Sequence, residues 1–490
     1  MLIARFIIRT TAPLHIGGGE SMLFDQPVSR DPFGFWNIQG TSLAGVLRSA
    51  LDSEDPEAAE SLFGSMKNGD DDGGSASKIW FSDAVMLDVD GRDPVSKVLS
   101  NEAVEMPLGP FIRDHVRIGI DGVAEDGAKY DEEIVPRGVS FAFEMSLDAK
   151  AVSNTDRQNF LRLAGIVRRG GLRFGGKTVN GYGSFDSAYA ECREFNLASE
   201  KGLEAWLNLS NGTKFIEGEG ESIALEAGEL RKPRGGQDVV DARIAFRLIN
   251  ATPVLLGGAN PDDLEYDMCC LKTPVIGRVS GAAPGSSPIV YRYTLPGSSL
   301  RGVIRHRVRQ IAQALSDGAE GTEPMPIDPD DETNNIFGAI GKDDGSDTGS
   351  MGRVFCSDAC LEDAKAEGIQ HVSIDRLSGG AVKGALFSEA PVISFTAPFT
   401  IEAKGLTLLQ AKLLAHALLD LFTGDLAVGG GASRGNGRVL LEGVGSDGSG
   451  LKEALSRIEC EVWLDGEKVD LSDPDEREML LEMLDEARGE

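Results

Sequence analysis

The run from Leu2 to Arg9 is apolar and rich in β-branched residues up to Thr-Ala-Pro, which predicts a strand. From Ser42 the apolar positions Leu43, Val46, Leu47 and Leu51 fall at helical spacing, with Ser42 as the expected N-cap. Val139 to Leu147 alternates as a strand, Thr155 to Val167 is amphipathic at helical period, and a glycine-rich turn leads into a short strand at Gly181 to Phe185. The second half repeats the pattern. A helix opens at Ser299 and runs through Leu300, Val303, Ile304, Val308 and Ile311. Val392 to Ile401 then alternates, Leu406 to Leu421 is a helix, and Gly435 to Val439 closes with glycine and a strand. Each half reads β-α-β-β-α-β, the ferredoxin-like order, so the predicted class is α+β with two tandem ferredoxin-like domains and large insertions.

The two halves also share wording. Residues 31–48 read DPFGFWNIQGTSLAGVLR and residues 288–305 read PIVYRYTLPGSSLRGVIR, with Gly40 matching Gly297 and Arg48 matching Arg305. Further anchors follow in one order. Ile79–Ala84 matches Val354–Ala359, His115-Val116 matches His371-Val372, Tyr130-Asp131-Glu132 matches Phe387-Ser388-Glu389, and Gly175–Gly183 matches Gly429–Gly437. A repeat this long is a duplicated domain, since solenoid periods run about 20–50 residues. The expected boundaries are a first domain at 1–195, an inter-domain segment at 196–238, a second domain at 239–445 and an acidic, helical tail at 446–490.

Charge complicates this picture. The 490 residues carry 48 basic against 78 acidic side chains, a net charge of −30, which by itself argues against a nucleic-acid partner. The acid is uneven, however. Asp70-Asp71-Asp72, Asp328–Glu332 and Asp473–Glu482 fall in expected loops or the tail, while basic residues gather at the repeated anchors. The six cysteines show no framework spacing, which suggests a reducing cytoplasm. No apolar run reaches the roughly 18 residues of a membrane span, so no membrane partner is expected.

The opening PLHIGGGE…FDQPVSRDPFG, the GTSLAGVLR helix start, the VSIDRLSGGAVKGALF segment and the final glycine-rich loop together resemble the RAMP superfamily of CRISPR proteins. The resemblance is to the Cas seven backbone subunits of type III effector complexes, here fused in tandem as in III-D-like systems. It implies RRM-like palms with thumb hairpins at His115–Glu132 and His371–Glu389. It also implies CRISPR RNA, complementary target RNA and other Cas subunits as partners.

Glycine turns let backbone N–H groups approach phosphates, and helix N-termini at Ser42 and Ser299 would add donors, so RNA can be held without net positive charge. Candidate RNA contacts are His15, Ser42, Arg48, His115, Arg117, Arg168, Arg169, Arg173 and Lys177 in the first copy. In the second they are Lys272, Ser299, Arg305, His371, Arg376 and Arg434. For cleavage the resemblance implies an acidic residue after the first strand, which here is Asp25. It could act as base toward a 2′-hydroxyl or hold Mg²⁺ or Mn²⁺. Lys272-Thr273-Pro274-Val275 sets Lys272 opposite Asp25, so a second site would depend on a displaced carboxylate among Asp262, Asp263, Glu265 and Asp267, with Asp267 the choice. Cys269, Cys270, Cys356 and Cys360 lack chelating spacing, and zinc is not expected. Two rival readings are a purely structural RNA-binding subunit and a guide-processing endoribonuclease of the Cas six kind.

Overall fold

A computed structural model describes residues 1–19, 24–65, 74–119, 123–147, 153–210, 212–226, 238–258, 266–277, 288–318, 324–339 and 349–486. The first module begins with β1 (Leu2–Thr10), then α1 (Gly40–Glu54), β2 (Ile79–Phe81) and β3 (Ala84–Met86). It continues with β4 (Ile112–Ile118), β5 (Ala124–Glu133), β6 (Ser140–Leu147), α2 (Asn154–Arg169) and β7 (Phe185–Glu194). The second module has β8 (Val239–Asn250), β9 (Met268–Cys270), β10 (Lys272–Ile276), α3 (Gly297–Asp317), β11 (Val354–Cys356) and β12 (Ile369–Ile374). It ends with β13 (Ala381–Ala390), β14 (Val392–Thr407), α4 (Leu408–Phe422), β15 (Val439–Leu441) and β16 (Glu459–Leu464).

In the first sheet β1 lies between β6 and β7, antiparallel to both, with Leu2 opposite Leu147 on one side and Glu194 on the other. Both β2 and β3 pair with β6. This is the ferredoxin-like order, and β1, central in its sheet, is buried along its length except at Arg9, with Arg5 paired to Glu144 at 2.9 Å. Helices α1 and α2 supply the cover on one face. Leu43, Leu47 and Leu51 join Phe160, Leu163 and Ile166 over Phe6, Phe141 and Phe143 in one core. The second sheet repeats the scheme, with β8 beside β14 and with β11 on the far edge of β14. Leu300, Ile304 and Val308 of α3 and Leu413, Ala417 and Leu421 of α4 fill its core.

Two boundaries differ from the sequence reading. The stretch after 445 is no tail, because β16 pairs with β8 from Val240–Leu464 to Ala245–Glu459 and completes the sheet that β15 begins. Acidic residues in Glu459–Leu464 hid a strand that also pairs with Glu467–Val469 on its other side. The segment after 195 likewise belongs largely to the first module, since Glu221–Ile223 pairs with β7 and Phe215 packs on Ile3 and Phe195.

The modules share a continuous junction. Ile276 N donates to Arg137 O at 2.7 Å, and the Ile276 side chain lies in the first module's core. Gly181, at φ +92°, turns so tightly against the second module that a Cβ would come 2.5 Å from Cys356 O.

Candidate nucleic-acid interface

Three pieces meet on one side of each module: the glycine-rich loop after the second helix, the base of a long hairpin, and the loop carrying the candidate aspartate. The hairpins are β4–β5 and β12–β13, with His115 opposite Tyr130 and His371 opposite Phe387. The glycine loops dock on the segment following the first strand. Gly176 N donates to His15 O and Gly430 N to Leu255 O, both at 2.8 Å. The preceding Gly175 and Gly429 sit at φ +81° and +88°, where a Cβ would stand 2.2 Å and 2.4 Å from those same carbonyls, so only glycine allows the approach.

A buried glutamate ties these pieces together. Glu132 accepts hydrogen bonds from His115 and Lys177, and from the Tyr182 hydroxyl at 2.7 Å. The His115 ring stacks on Tyr130 with centroids 5.1 Å apart, and the Lys177 ammonium lies 4.3 Å from the Tyr130 centroid. Burial works to raise the Glu132 pKa, but the hydrogen bond and charge of His115, followed by the hydrogen bonds from Lys177 and Tyr182, outweigh it and hold the carboxyl at about 2. The second module rebuilds the arrangement. Glu389 meets His371 at 2.9 Å and Arg434 at 3.0 Å, and His371 stacks on Phe387 at 4.9 Å. The cation comes from a different loop position in each copy. Lys177 occupies the left-handed turn position at φ 56°, where the second copy has Gly431, and Arg434 stands where the first has Asn180.

The candidate carboxylates are held by the same hairpins. Asp25 N donates to Asp131 Oδ1 at 2.9 Å, and Asp131 N donates back to Asp25 Oδ2 at 3.1 Å. Asp267 N donates to Ser388 Oγ at 3.1 Å, while Ser388 N donates to Asp267 Oδ2 at 2.7 Å and Ser388 Oγ to the same oxygen at 3.0 Å. These bonds lower the Asp267 pKa. The neighbouring pairings fix the register. Gln26 bridges Glu132 in parallel as Met268 pairs Glu389, and Gly17 bridges Val28 as Gly257 pairs Cys270. Asp267 therefore occupies the position of Asp25, and Lys272 corresponds to Arg30 rather than to Asp25. Both cations lie over an aromatic ring of the next strand, Arg30 over Trp36 and Lys272 over Tyr293. The sequence alignment slipped by five residues because it followed the Pro-Val step, which has no structural counterpart across the copies. Asp262, Asp263 and Glu265 lie outside the described residues.

Other expected contacts have structural partners. Neither serine is a helix cap: α1 starts at Gly40 after Gln39 and α3 at Gly297 after Pro296, so Ser42 and Ser299 sit inside the first turn. Gly40 N is already bonded to Asp83 Oδ1, and Gly297 N to Asp358 Oδ1, each at 2.8 Å, so a carboxylate occupies the donor proposed for phosphate. Arg48 and Arg305 bond the carbonyls of Gly64 and Gly338 at 3.1 Å, closing the short helix that follows. His15 is buried, with Nδ1 on the Glu133 carbonyl at 2.9 Å. Arg168 bonds Leu225 O, burial lowers the Arg169 pKa, and Arg173 reaches Glu402 of the other module at 3.1 Å. Arg117, which pairs with Glu125 across its own hairpin at 3.3 Å, and Arg376 remain exposed on the two hairpins. The repeated Tyr-Asp-Glu and Phe-Ser-Glu triplets marked Glu132 and Glu389, yet a lone buried glutamate carries no residue-type signal of its role.

Among the described residues no helix is long and apolar enough to cross a membrane, and no cluster of three or more His, Cys, Asp or Glu converges on a metal position. The cysteines are free thiols, and burial pushes Cys356 up to about 12. The profile of the RAMP superfamily matches residues 7–186 and again residues 251–440. Two solved chains resemble part of the protein. One is from a cryo-EM structure of type III-B Cmr-beta in the apo state, 17% identical, with a TM-score of 0.30, covering 38% of this chain and 96% of that chain. The other is from type III-B Cmr-beta bound to cognate target RNA, 18% identical, with a TM-score of 0.28 and the same coverages of 38% and 96%. No curated protein matches the sequence.

Proposed function

Because the chain belongs to the RAMP superfamily, and does so twice over, we propose that it is a double backbone subunit of a type III CRISPR ribonucleoprotein. In this reading it holds CRISPR RNA, cuts complementary target RNA once per module, and works beside other Cas subunits. The observation that carries the reading is the duplicated carboxylate. Asp25 and Asp267, in loops of different length, are clipped to equivalent hairpin residues in the same register.

RNA backbone would lie along the glycine loops, whose glycine N–H groups are taken up in docking the loops, so the cations beside them would meet phosphates locally despite the net charge of −30. The buried glutamates fix the geometry. Each holds a cation, a histidine and the hairpin base in one cage, so the loop and the hairpin present a pre-set groove. Cleavage follows from the exposed carboxylate beside that groove. Asp25 or Asp267 accepts the proton of a target 2′-hydroxyl, the 2′-oxygen attacks the adjacent phosphorus, and the bond to the 5′-oxygen breaks. The products are a 2′,3′-cyclic phosphate and a 5′-hydroxyl, the latter taking its proton from water.

Mg²⁺ or Mn²⁺ fits the first site. Such ions keep several waters and bind through one or two carboxylates plus substrate phosphates, and Asp25 supplies an exposed carboxylate held in place by Asp131. Asp267 with Ser388 supplies one carboxylate and a hydroxyl. When bound, the ion would neutralise charge developing on the phosphorane.

The test is a time course on end-labelled target RNA, with the chain assembled on guide RNA and its partners. Two cuts are expected, one lost with Asp25→Ala and the other with Asp267→Ala. A product ladder unchanged in the double variant overturns the nuclease reading and leaves an RNA-holding scaffold.

A further inference from the structure

The junction between the modules shows how one of these folds receives another, and one copy of the receiving face is left open. In the second module that face is built from β10, the start of α3 and the β11 edge. Arg113 of the first module enters it, with Nη1 on Asp358 Oδ2 at 2.7 Å and Nη2 on Thr273 Oγ1 at 2.9 Å. Arg173 lies over the Phe355 ring, 5.4 Å from its centroid, and Gly181 closes on Cys356–Asp358. Phe355 is 8% exposed under this cover.

The same face exists on the first module. Phe81 and Cys356 hold matching places beside β6 and β14, as do Trp80 and Phe355. Asp83 caps Gly40 as Asp358 caps Gly297. Asp31 stands at the position of Thr273, one residue after Arg30 as Thr273 follows Lys272. Here, however, Trp80 is 67% exposed and Asp83 is exposed. Asp31 Oδ1 is engaged by Phe33 N and Phe35 N at 2.9 Å, so the exposed Trp80 together with Asp83 forms the receptor for a stacked, ion-paired arginine.

We infer that the Trp80–Asp83 edge of the first module docks a RAMP module of a different polypeptide, one that carries basic residues where this chain has Arg113 and Arg173. A second copy of this chain cannot fill the place, because its own outward-facing second module lacks both. Arg113 pairs with Glu132 across its hairpin as Ile369 is placed relative to Glu389, so Ile369 stands at the Arg113 position. Ala427 bridges Arg438 as Arg173 bridges Ser184, so Ala427 stands at the Arg173 position. Head-to-tail repetition of a heterologous contact would otherwise build an open filament. Isoleucine and alanine at the two anchoring positions stop it at one copy. The inference rests on reading the chain as one segment of a longer backbone, and it names what its neighbour must carry.

The test uses the full chain and sedimentation velocity over a range of concentrations. Wild type is expected to stay monomeric. The variant I369R/A427R, which gives the second module both arginines, is expected to self-associate as concentration rises, with at least a tenfold tighter association than wild type. Adding Trp80→Ala and Asp83→Asn should return it to the monomer. If I369R/A427R lowers the melting temperature, A427R alone, at a half-exposed loop position, takes its place and should give a smaller but measurable association. Two results overturn the inference: wild type forming oligomers that Trp80→Ala dissolves, or folded arginine variants remaining monomeric throughout. RNA carried by the same preparations reports separately on the backbone reading.

Discussion

Arg113 and Asp358 meet at 2.7 Å across the module junction, with side chains 2% and 6% exposed. A charge pair this dry joins two folds that each have their own core, so it sets how the modules sit relative to one another rather than whether each folds.

Removing one partner should therefore cost more than the pair contributes. Arg113→Met leaves a carboxylate buried and is expected to destabilise by about 3–5 kcal/mol, while the same change combined with Asp358→Asn should cost less than the sum of the two single changes. Chemical denaturation of the four members of the cycle measures this. Additive single effects would show that the two groups do not interact.

Glu132 makes stability depend on acid. Its folded pKa of about 2 lies below the ordinary value of 4.5, so its contribution is fully present above about pH 4.5 and lost as pH falls through about 2. The shift corresponds to about 3 kcal/mol. Thermal unfolding between pH 6 and pH 2 should show wild type losing stability faster than Glu132→Gln across that window, and parallel curves would remove the glutamate from the account.

The hairpin partners of the candidate carboxylates should act as positioning residues. Asp131→Ala is expected to slow the first cut about tenfold and Ser388→Ala the second, each with guide affinity unchanged, because a loop misplaced by about an ångström loses its alignment with the reacting atoms. Single-turnover rates for each product separate this from a loss of fold, which would lower both cuts together. Chelation of divalent cations should abolish both.

Exposed and engaged arginines should differ in salt dependence. Replacing Arg117 and Arg376 with glutamine is expected to weaken RNA binding and to flatten the log–log salt slope by roughly 0.7 per lost phosphate contact. Arg48→Ala and Arg305→Ala, which unpin a helix end, should lower the melting temperature and leave the slope alone. Binding titrations from low to moderate salt decide it, and an unchanged slope for Arg117 and Arg376 would exclude those contacts.

The sequence alone determined the duplication, the α+β class and the order of elements, because apolar periodicity and repeated glycine strings are local signals. It also marked the hairpins and the glycine loops, since His115, His371, Gly175 and Gly429 recur in matching strings. Three things needed the tertiary structure. The equivalence of Asp267 with Asp25 is set by parallel pairing to distant hairpin strands, and loops of unequal length carry no register in one dimension. The cation under each glutamate comes from different loop positions, Lys177 and Arg434, which no alignment equates because only the meeting point in space is shared. The role of the arginines divided by partner: Arg113 and Arg173 join the modules, and Arg48 and Arg305 close helix ends. Sequence records that a guanidinium is present, whereas its partner is chosen by which carbonyl or carboxylate the fold brings within hydrogen-bond reach.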